Sequence, residues 1–399
     1  MADRAAVFVL PTSTAGQQGP VAAWVSTAGW AAAARRLLGD AWIVTPEGLV
    51  TPDEARRRGS DRAFAAPNST SFRRRVPPVA KTAVKDVREH VRARRFRVPN
   101  DGPWRDRDIA FIWQRHELFH SAGIDLAQRL NVPSVLFVPA TLVWQSEQWH
   151  VKRPGTARLV ERLGEAPALR AATLVACGSD EVAEQAERLG AHSNRILVTP
   201  TGVDLDSFAG PFDRKGLRRE LELERHFVVG WVGSFRSFHG LEVLVAAVAE
   251  VEGAALLLVG DGPERAGIEE LTRRAGVTAV CTGTVPHTEV PKYLATMDAA
   301  VVVARAGAPF HYSPLKLAEY LAAGVPTVAP RVPQLEASLN DGHEAHLVEP
   351  GDTRSLARAL NRLHDEPETR AVLAAAGRTA AKALWSWDHQ VQVILDRIG

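Results

Sequence analysis

The sequence predicts two α/β domains, each a parallel sheet with helices on both faces. Short, almost continuously apolar stretches such as SVLFV (134–138) and VVGWV (228–232) alternate with longer amphipathic segments in both halves. That is the pattern of strands buried on both sides and joined by helical crossovers. The alternation is broken by the turn-rich ILVTPTGVDLDSF, which ends at Phe208 and reads as loop, before a fresh strand opens at Phe227. With 399 residues the chain has room for two domains of about 150–200 residues, each able to bury its own core. The expected division is 1–205 and 206–375, followed by a terminal helical segment, 376–399.

In the first half, Ala5–Leu10 reads as the opening strand. The turn-rich STAGQQGP follows, then an apolar helix over Val21–Leu38. Asp40–Val44, Ile109–Trp113, Ser134–Val138 and Thr173–Ala176 continue the strand series, with helices between them. In the second half, strands are expected at Val228–Val232, Ala255–Val259, Ala279–Cys281, Ala299–Val303, Thr327–Ala329 and His346–Val348. A last helix begins near Asp365.

Composition narrows the class. Lys and Arg number 48 against 46 Asp and Glu, so the chain as a whole lacks the basic excess of a nucleic-acid binder. The 2 cysteines, Cys177 and Cys281, lie in apolar strand-like runs and suit a reduced, cytoplasmic protein better than a disulfide framework. No apolar run approaches the ~20 residues that span a bilayer, and MADRAAVFVLPT reads as a strand rather than a signal peptide. The stretch from Ser71 to Arg97 holds ten Lys or Arg against Asp86 and Glu89. Such density suits an anionic membrane or acceptor. Its helix over Thr82–Arg95, however, offers only Val84, Val87 and Val91 as an apolar seam, which favours a solvated helix over membrane association.

The richest motif is PFHYSPLKLAEYLAAGVPTVAP, 309–330. Ser313 and Pro314 sit at a helix start, Lys316 in the first turn, Glu319 one turn on, and Gly324 ends the helix. Unpaired N–H groups and the positive end of the helix dipole suit a phosphate. A carboxylate one turn inside suits the vicinal hydroxyls of a ribose. An ordinary surface helix is the alternative. Three further loops follow strands at their carboxyl ends, where open parallel sheets bind ligands: 233–240, 260–267 and 282–294. Gly233, Gly240, Gly260, Gly262 and Gly283 permit close backbone approach there.

The order GWVGSFRSFHGLEVLV, LLLVGDGPE, TGTVPHTEVPKYLATMDAAVVV, SPLKLAEYLAAGVPTVAP, LVEPGDTRSLARAL resembles the nucleotide-binding domain of family 4 retaining glycosyltransferases, which have the GT-B fold. In the first half the resemblance continues through RHELFHSAGIDLAQRLNVPSVLFV and VTPTGVDLDSF. It implies two Rossmann-like domains facing across a cleft, with a terminal helix carrying Trp385 and Trp387 back onto the first domain. It also implies transfer of a sugar from a nucleotide diphosphate, UDP or GDP, with no other cofactor and no metal. Glu319 is then expected on the ribose, and amides around Ser313, Pro314 and Leu315 on the diphosphate, beside His311 and Tyr312. The loop with Val285 is expected on the base, and Gly16 and Gly19 bordering donor or acceptor.

The departures are specific. The family often places a glutamate eight residues before Glu319; here His311 stands there. It commonly places an Arg and a Lys after the first strand of the second domain; here Gly233, Ser234 and His239 occupy that loop, with Arg236 between. Arg236, His239 and Lys316 are the candidates to stabilise the departing diphosphate. Where relatives carry His or Asn after the fourth strand of the first domain, this chain has Pro139, which cannot donate. Arg115, His120 and Thr141 are candidate acceptor contacts, with Gln145 a further polar group nearby. His116, His120 and His150 more simply read as structural or exposed. The acceptor expected is a small molecule, with a role in bacterial specialised metabolism suggested by the Ala- and Arg-rich composition. Cell-envelope glycolipid or polysaccharide synthesis, a catalytically silent nucleotide-sugar binder and a sugar-nucleotide epimerase are the alternatives. Oligomeric state is not legible.

Overall fold

A computed structural model describes residues 4–11, 21–62, 78–148, 151, 153–307 and 315–399. By its contacts the chain divides into two compact units, described separately below: 4–201 with 390–399, and 202–307 with 315–389.

The first unit contains β1 (Arg4–Val9), β2 (Gly39–Thr45), β3 (Gly48–Val50), β4 (Asp108–Arg115), β5 (Ser134–Val138), β6 (Leu174–Cys177) and β7 (Ile196–Val198), ordered β3-β2-β1-β4-β5-β6-β7. All pairs are parallel except β2 with β3, a tight antiparallel edge. There Thr45 Oγ1 donates to the Gly48 carbonyl at 2.9 Å. β1, β5 and β6 are apolar along almost their whole length because both sheet faces are covered. One face stacks Trp113 on Phe137, ring centroids 5.5 Å apart, with Trp30 from the Val21–Leu38 helix against both.

The second unit contains β8 (Phe227–Val232), β9 (Ala254–Val259), β10 (Thr278–Cys281), β11 (Ala299–Val301), β12 (Thr327–Pro330) and β13 (His346–Val348). They are all parallel, in the order β10-β9-β8-β11-β12-β13. Two apolar layers cover the sheet, one built on Val228, Leu257 and Tyr320 and the other on Trp231, Leu256 and Leu360. Gly230 in β8 leaves room on one sheet face for the buried Met297 side chain. A Cβ there would lie 1.9 Å from Met297 Sδ.

Two expectations need correction, and one strand was missed. Ile196–Val198, read as loop, is β7, pairing in parallel with β6. β3 was not anticipated, since three residues are too few to show a period. The single helix expected from Asp365 is two, Pro367–Ala380 and Trp387–Ile398, separated by a π-turn at Ala381–Trp385 and by Ser386 in extended conformation. The valine seam faces solvent, in keeping with a solvated helix. In the Pro78–Arg95 helix Val84, Val87 and Val91 are 49%, 64% and 42% exposed, while Asp86 and Ala93 are buried. Asp86 holds Arg153 through both carboxylate oxygens, at 2.8 and 3.1 Å. Among the described residues, no helix is long and apolar enough to cross a membrane.

Candidate functional site

The strand order fixes where a ligand can enter the second unit. Counted from β8, the sheet runs 3-2-1-4-5-6, so the order in which strands are added reverses between β8 and β11. The crevice beyond the carboxyl ends of strands at such a point is where doubly wound sheets bind ligands. The loop after β8 begins with Gly233 (φ +152°), whose N–H donates to the Val259 carbonyl at 2.9 Å. Gly260 (φ +135°) donates to the Gly283 carbonyl at 3.1 Å, and a Cβ on it would meet the Gly233 oxygen at 1.9 Å. The loops after β8, β9 and β10 therefore rest backbone on backbone, which only glycine permits.

The Leu315–Ala323 helix brings side chains to this crevice. Its terminus is tightly turned: Gly324 takes φ +65°, and the Val325 N–H reaches the Tyr320 carbonyl at 2.9 Å. The Tyr320 hydroxyl accepts from the Val232 N–H at 2.8 Å, which locks the helix to the end of β8; burial raises its pKa. Lys316 places its ammonium 4.1 Å from the centre of the Trp231 ring. A Cβ on Gly233 would come within 3.0 Å of that nitrogen. Burial pulls the Lys316 pKa down to about 7, partly offset by Glu319. His239 is buried with its ring 5.3 Å from that of Trp231. Burial, with Lys316 and Arg236 nearby, pushes its pKa to about 2, so this imidazole is neutral at physiological pH. Glu319 is 4% exposed and accepts a 2.7 Å hydrogen bond from His287 Nε2. A lysine of depressed pKa, a neutral imidazole and a held carboxylate on glycine-lined backbone suit a polyanion bearing hydroxyl groups.

Residues 226–366 match the family described as Glycosyl transferases group 1. The matched stretch lies within the second unit. The chain is similar to 2-deoxystreptamine glucosyltransferase of Streptomyces kanamyceticus, 30% identical over 249 residues, covering 59% of this chain and 58% of that one. D-inositol 3-phosphate glycosyltransferase of Pseudarthrobacter chlorophenolicus is 29% identical over 290 residues, covering 67% and 66%. The matches span about half to two-thirds of these relatives: from 48%, for a lipopolysaccharide core glycosyltransferase of Rhizobium meliloti, to 66%. Among solved structures, Anabaena HepE in complex with UDP superposes with a TM-score of 0.64 over 98% of both chains at 16% identity. Sucrose-phosphate synthase from Thermosynechococcus elongatus gives 0.63 over 98% of this chain and 97% of that one, at 20% identity. The fold is of GT-B type.

Within the second unit the structure gathers Gly233, Lys316, His239 and Glu319 around Trp231 and the Leu315–Ala323 helix. Ser234 and Arg236 are exposed on the same loop, and the Arg236 N–H donates to the Ser234 carbonyl at 2.8 Å. Leu315 opens the helix, and Val285 packs half-buried on the core. Gly16, Gly19, His311, Tyr312, Ser313 and Pro314 lie outside the described residues, as does His150.

The acceptor candidates belong to the other unit. His120 is buried and bonded to Glu89 at 3.2 Å, Arg115 faces Glu117 at 3.6 Å, and Thr141 is wholly buried. Among the described residues no group of three or more His, Cys, Asp or Glu is placed to hold a metal. Three participants were missed. Trp231 and Tyr320 look like core residues in sequence, and only the fold shows what their edges touch. His287 stands in VPHTEV, 32 positions from its partner Glu319, a separation no local period reveals.

Proposed function

We propose that this chain is a retaining glycosyltransferase that moves a sugar from a nucleoside diphosphate carrier, UDP or GDP, onto a hydroxyl of a small acceptor. The observation that carries the reading is the convergence of Lys316, Glu319 and the Gly233 loop at the point where the strand order of the second sheet reverses. In this reading Glu319 accepts hydrogen bonds from the ribose hydroxyls. The loop around Val285 receives the base through main-chain groups. The backbone N–H groups of Ser313 and Leu315 and the Lys316 ammonium receive the diphosphate.

Chemistry follows from charge. The bond from the anomeric carbon to the β-phosphate oxygen breaks with its electron pair passing to the phosphate. The acceptor oxygen bonds to the same face of the sugar, and its proton passes to the departing phosphate oxygen. This route calls for no metal and no strong base; the protein supplies position and preorganised charge. Lys316 and Arg236 provide that charge, while neutral His239 offers an N–H rather than a cation. An aminocyclitol-like polyol acceptor is favoured by the similarity to the 2-deoxystreptamine enzyme. Envelope glycolipid acceptors are the second choice, on the similarity to the lipopolysaccharide core enzyme. The protein is expected to act in the cytoplasm, where sugar nucleotides are available.

The test is turnover of UDP- and GDP-sugars against cyclitol, aminocyclitol and lipid acceptors, with the anomeric configuration of the product read by proton NMR. An axial donor should give an axial product. Inversion would refute the mechanism. Tight nucleotide binding without transfer to any acceptor would instead support a silent binder, a reading to which Pro139 at the end of β5 lends weight.

A further inference from the structure

We propose that His287 is a positioning residue of the donor site, which holds the Glu319 carboxylate in the single orientation that meets the ribose diol and so sets the preference for ribo- over deoxyribonucleotides. The inference deepens the donor-site reading above and rests on it.

Glu319 projects from a helix and His287 from a different loop. The imidazole opens the short turn His287–Glu289, directly after Pro286 and two residues from Val285. That turn is anchored on both sides. Val285 packs against the core layer around Tyr320, and Val290 and Leu294 of the next helix are buried. The Glu289 N–H returns to the Pro286 carbonyl at 2.9 Å. The imidazole thus rests on a fixed backbone, and its Nε2–H donates to Glu319 Oε1 at 2.7 Å.

The two side chains differ in exposure, 27% for His287 and 5% for Glu319, so the bond lies at the inner edge of the crevice. A glutamate side chain has three rotatable torsions, and an unheld carboxylate must be ordered each time a diol arrives. A carboxylate already fixed by a second group contributes its full bonding strength, because the ordering precedes binding. The same bond ties the loop assigned to the base to the helix assigned to the ribose and diphosphate. Base and sugar are then read by one connected unit.

The test compares UDP with 2′-deoxy-UDP, or the guanine pair if GDP binds better, by calorimetry on the full chain. Losing one hydrogen bond to a charged group should make the deoxynucleotide bind about 10- to 100-fold more weakly to the wild type. His287→Ala should reduce that ratio to within about threefold and weaken UDP itself, while His287→Gln, whose amide can still donate, should recover much of it. Glu319→Ala should abolish the discrimination, and melting temperatures would confirm that each variant is folded.

If Glu319→Ala removes discrimination but His287→Ala leaves it at the wild-type ratio, the positioning role is refuted and the ribose site stands. Tighter UDP binding by His287→Ala would also refute it, since His287 would then be competing with the diol. If Glu319→Ala discriminates as the wild type does, the ribose assignment itself fails and takes the proposal with it.

Discussion

Lys316 shows how a single residue can carry a site's pH dependence. Its ammonium sits over the Trp231 ring at the mouth of a glycine-lined loop, and burial holds its pKa near 7. A bound diphosphate would favour the charged form and raise that pKa. Binding above pH 7 must then take up a proton, and affinity must be greatest below 7 and fall as pH rises toward the pKa of the complex. At pH 8 the nucleotide's terminal phosphate, with a second pKa of about 6, contributes no uptake. Calorimetry at pH 8 in buffers of different ionisation heat should report an uptake approaching one proton, lost in Lys316→Met. A heat independent of buffer would remove Lys316 from the diphosphate. Arg236 is exposed on the neighbouring loop, and its role is distinguishable. Arg236→Ala should lower kcat by about 10- to 100-fold with little change in nucleotide affinity if it acts on the departing group. An unaltered kcat would leave that role to Lys316. Gly260 makes a stability prediction. A methyl there would lie 1.9 Å from a backbone oxygen, at φ +135°. Gly260→Ala should therefore cost more than about 2 kcal/mol in denaturant unfolding.

At the scale of the element, the helix Pro78–Arg95 shows what periodicity leaves open. Val84, Val87 and Val91 share a face and are its most apolar large residues, yet spacing alone does not say whether that face is buried. The fold turns them outward because the opposite face holds stronger, distant partners: Asp86 chelates Arg153, and Glu89 meets His120. A charge pair 67 residues apart leaves no mark on local spacing. Asp86→Ala should cost about 3–5 kcal/mol, the usual penalty for leaving one member of a buried pair alone. Val87→Ser should stay within about 0.5 kcal/mol of wild type. Chemical denaturation of the two variants checks the orientation directly, and the reverse ranking would place the valine seam in the core. The helix Leu315–Ala323 was legible for the opposite reason: the Gly324 stop and the alternation of Lys316, Glu319 and apolar residues are local signals. Even there, the partners that tune it, Trp231 and His287, arrive from β8 and from the loop after β10.

At the scale of the whole molecule, the two parallel sheets could be read because strands covered on both faces announce themselves as apolar runs. Strand order could not, since it depends on which crossovers pass which neighbours; yet the order is what puts the loops after β8 and β11 at one crevice. The short β7 was lost because ILV is bounded by turn residues on its carboxyl side. The two cysteines provide an internal reporter for this architecture. Cys177 lies in β6 of the first sheet and Cys281 in β10 of the second. Both are free; burial raises the Cys177 thiol pKa to about 12, and partial burial beside Glu269 raises that of the half-buried Cys281 to about 11, so both thiols react slowly at neutral pH while their strands are in place. The sheets share no strand, and the core layers lining them are separate. A nucleoside diphosphate that binds only the native second unit should stabilise that unit by mass action, by about 2.7 kcal/mol at a hundredfold excess over Kd. In moderate denaturant, thiol labelling of Cys281 should therefore slow about a hundredfold when nucleotide is present, with Cys177 nearly unchanged. Protection of Cys177 alone would place the nucleotide on the first sheet, and equal protection of both would show that the two units open as one.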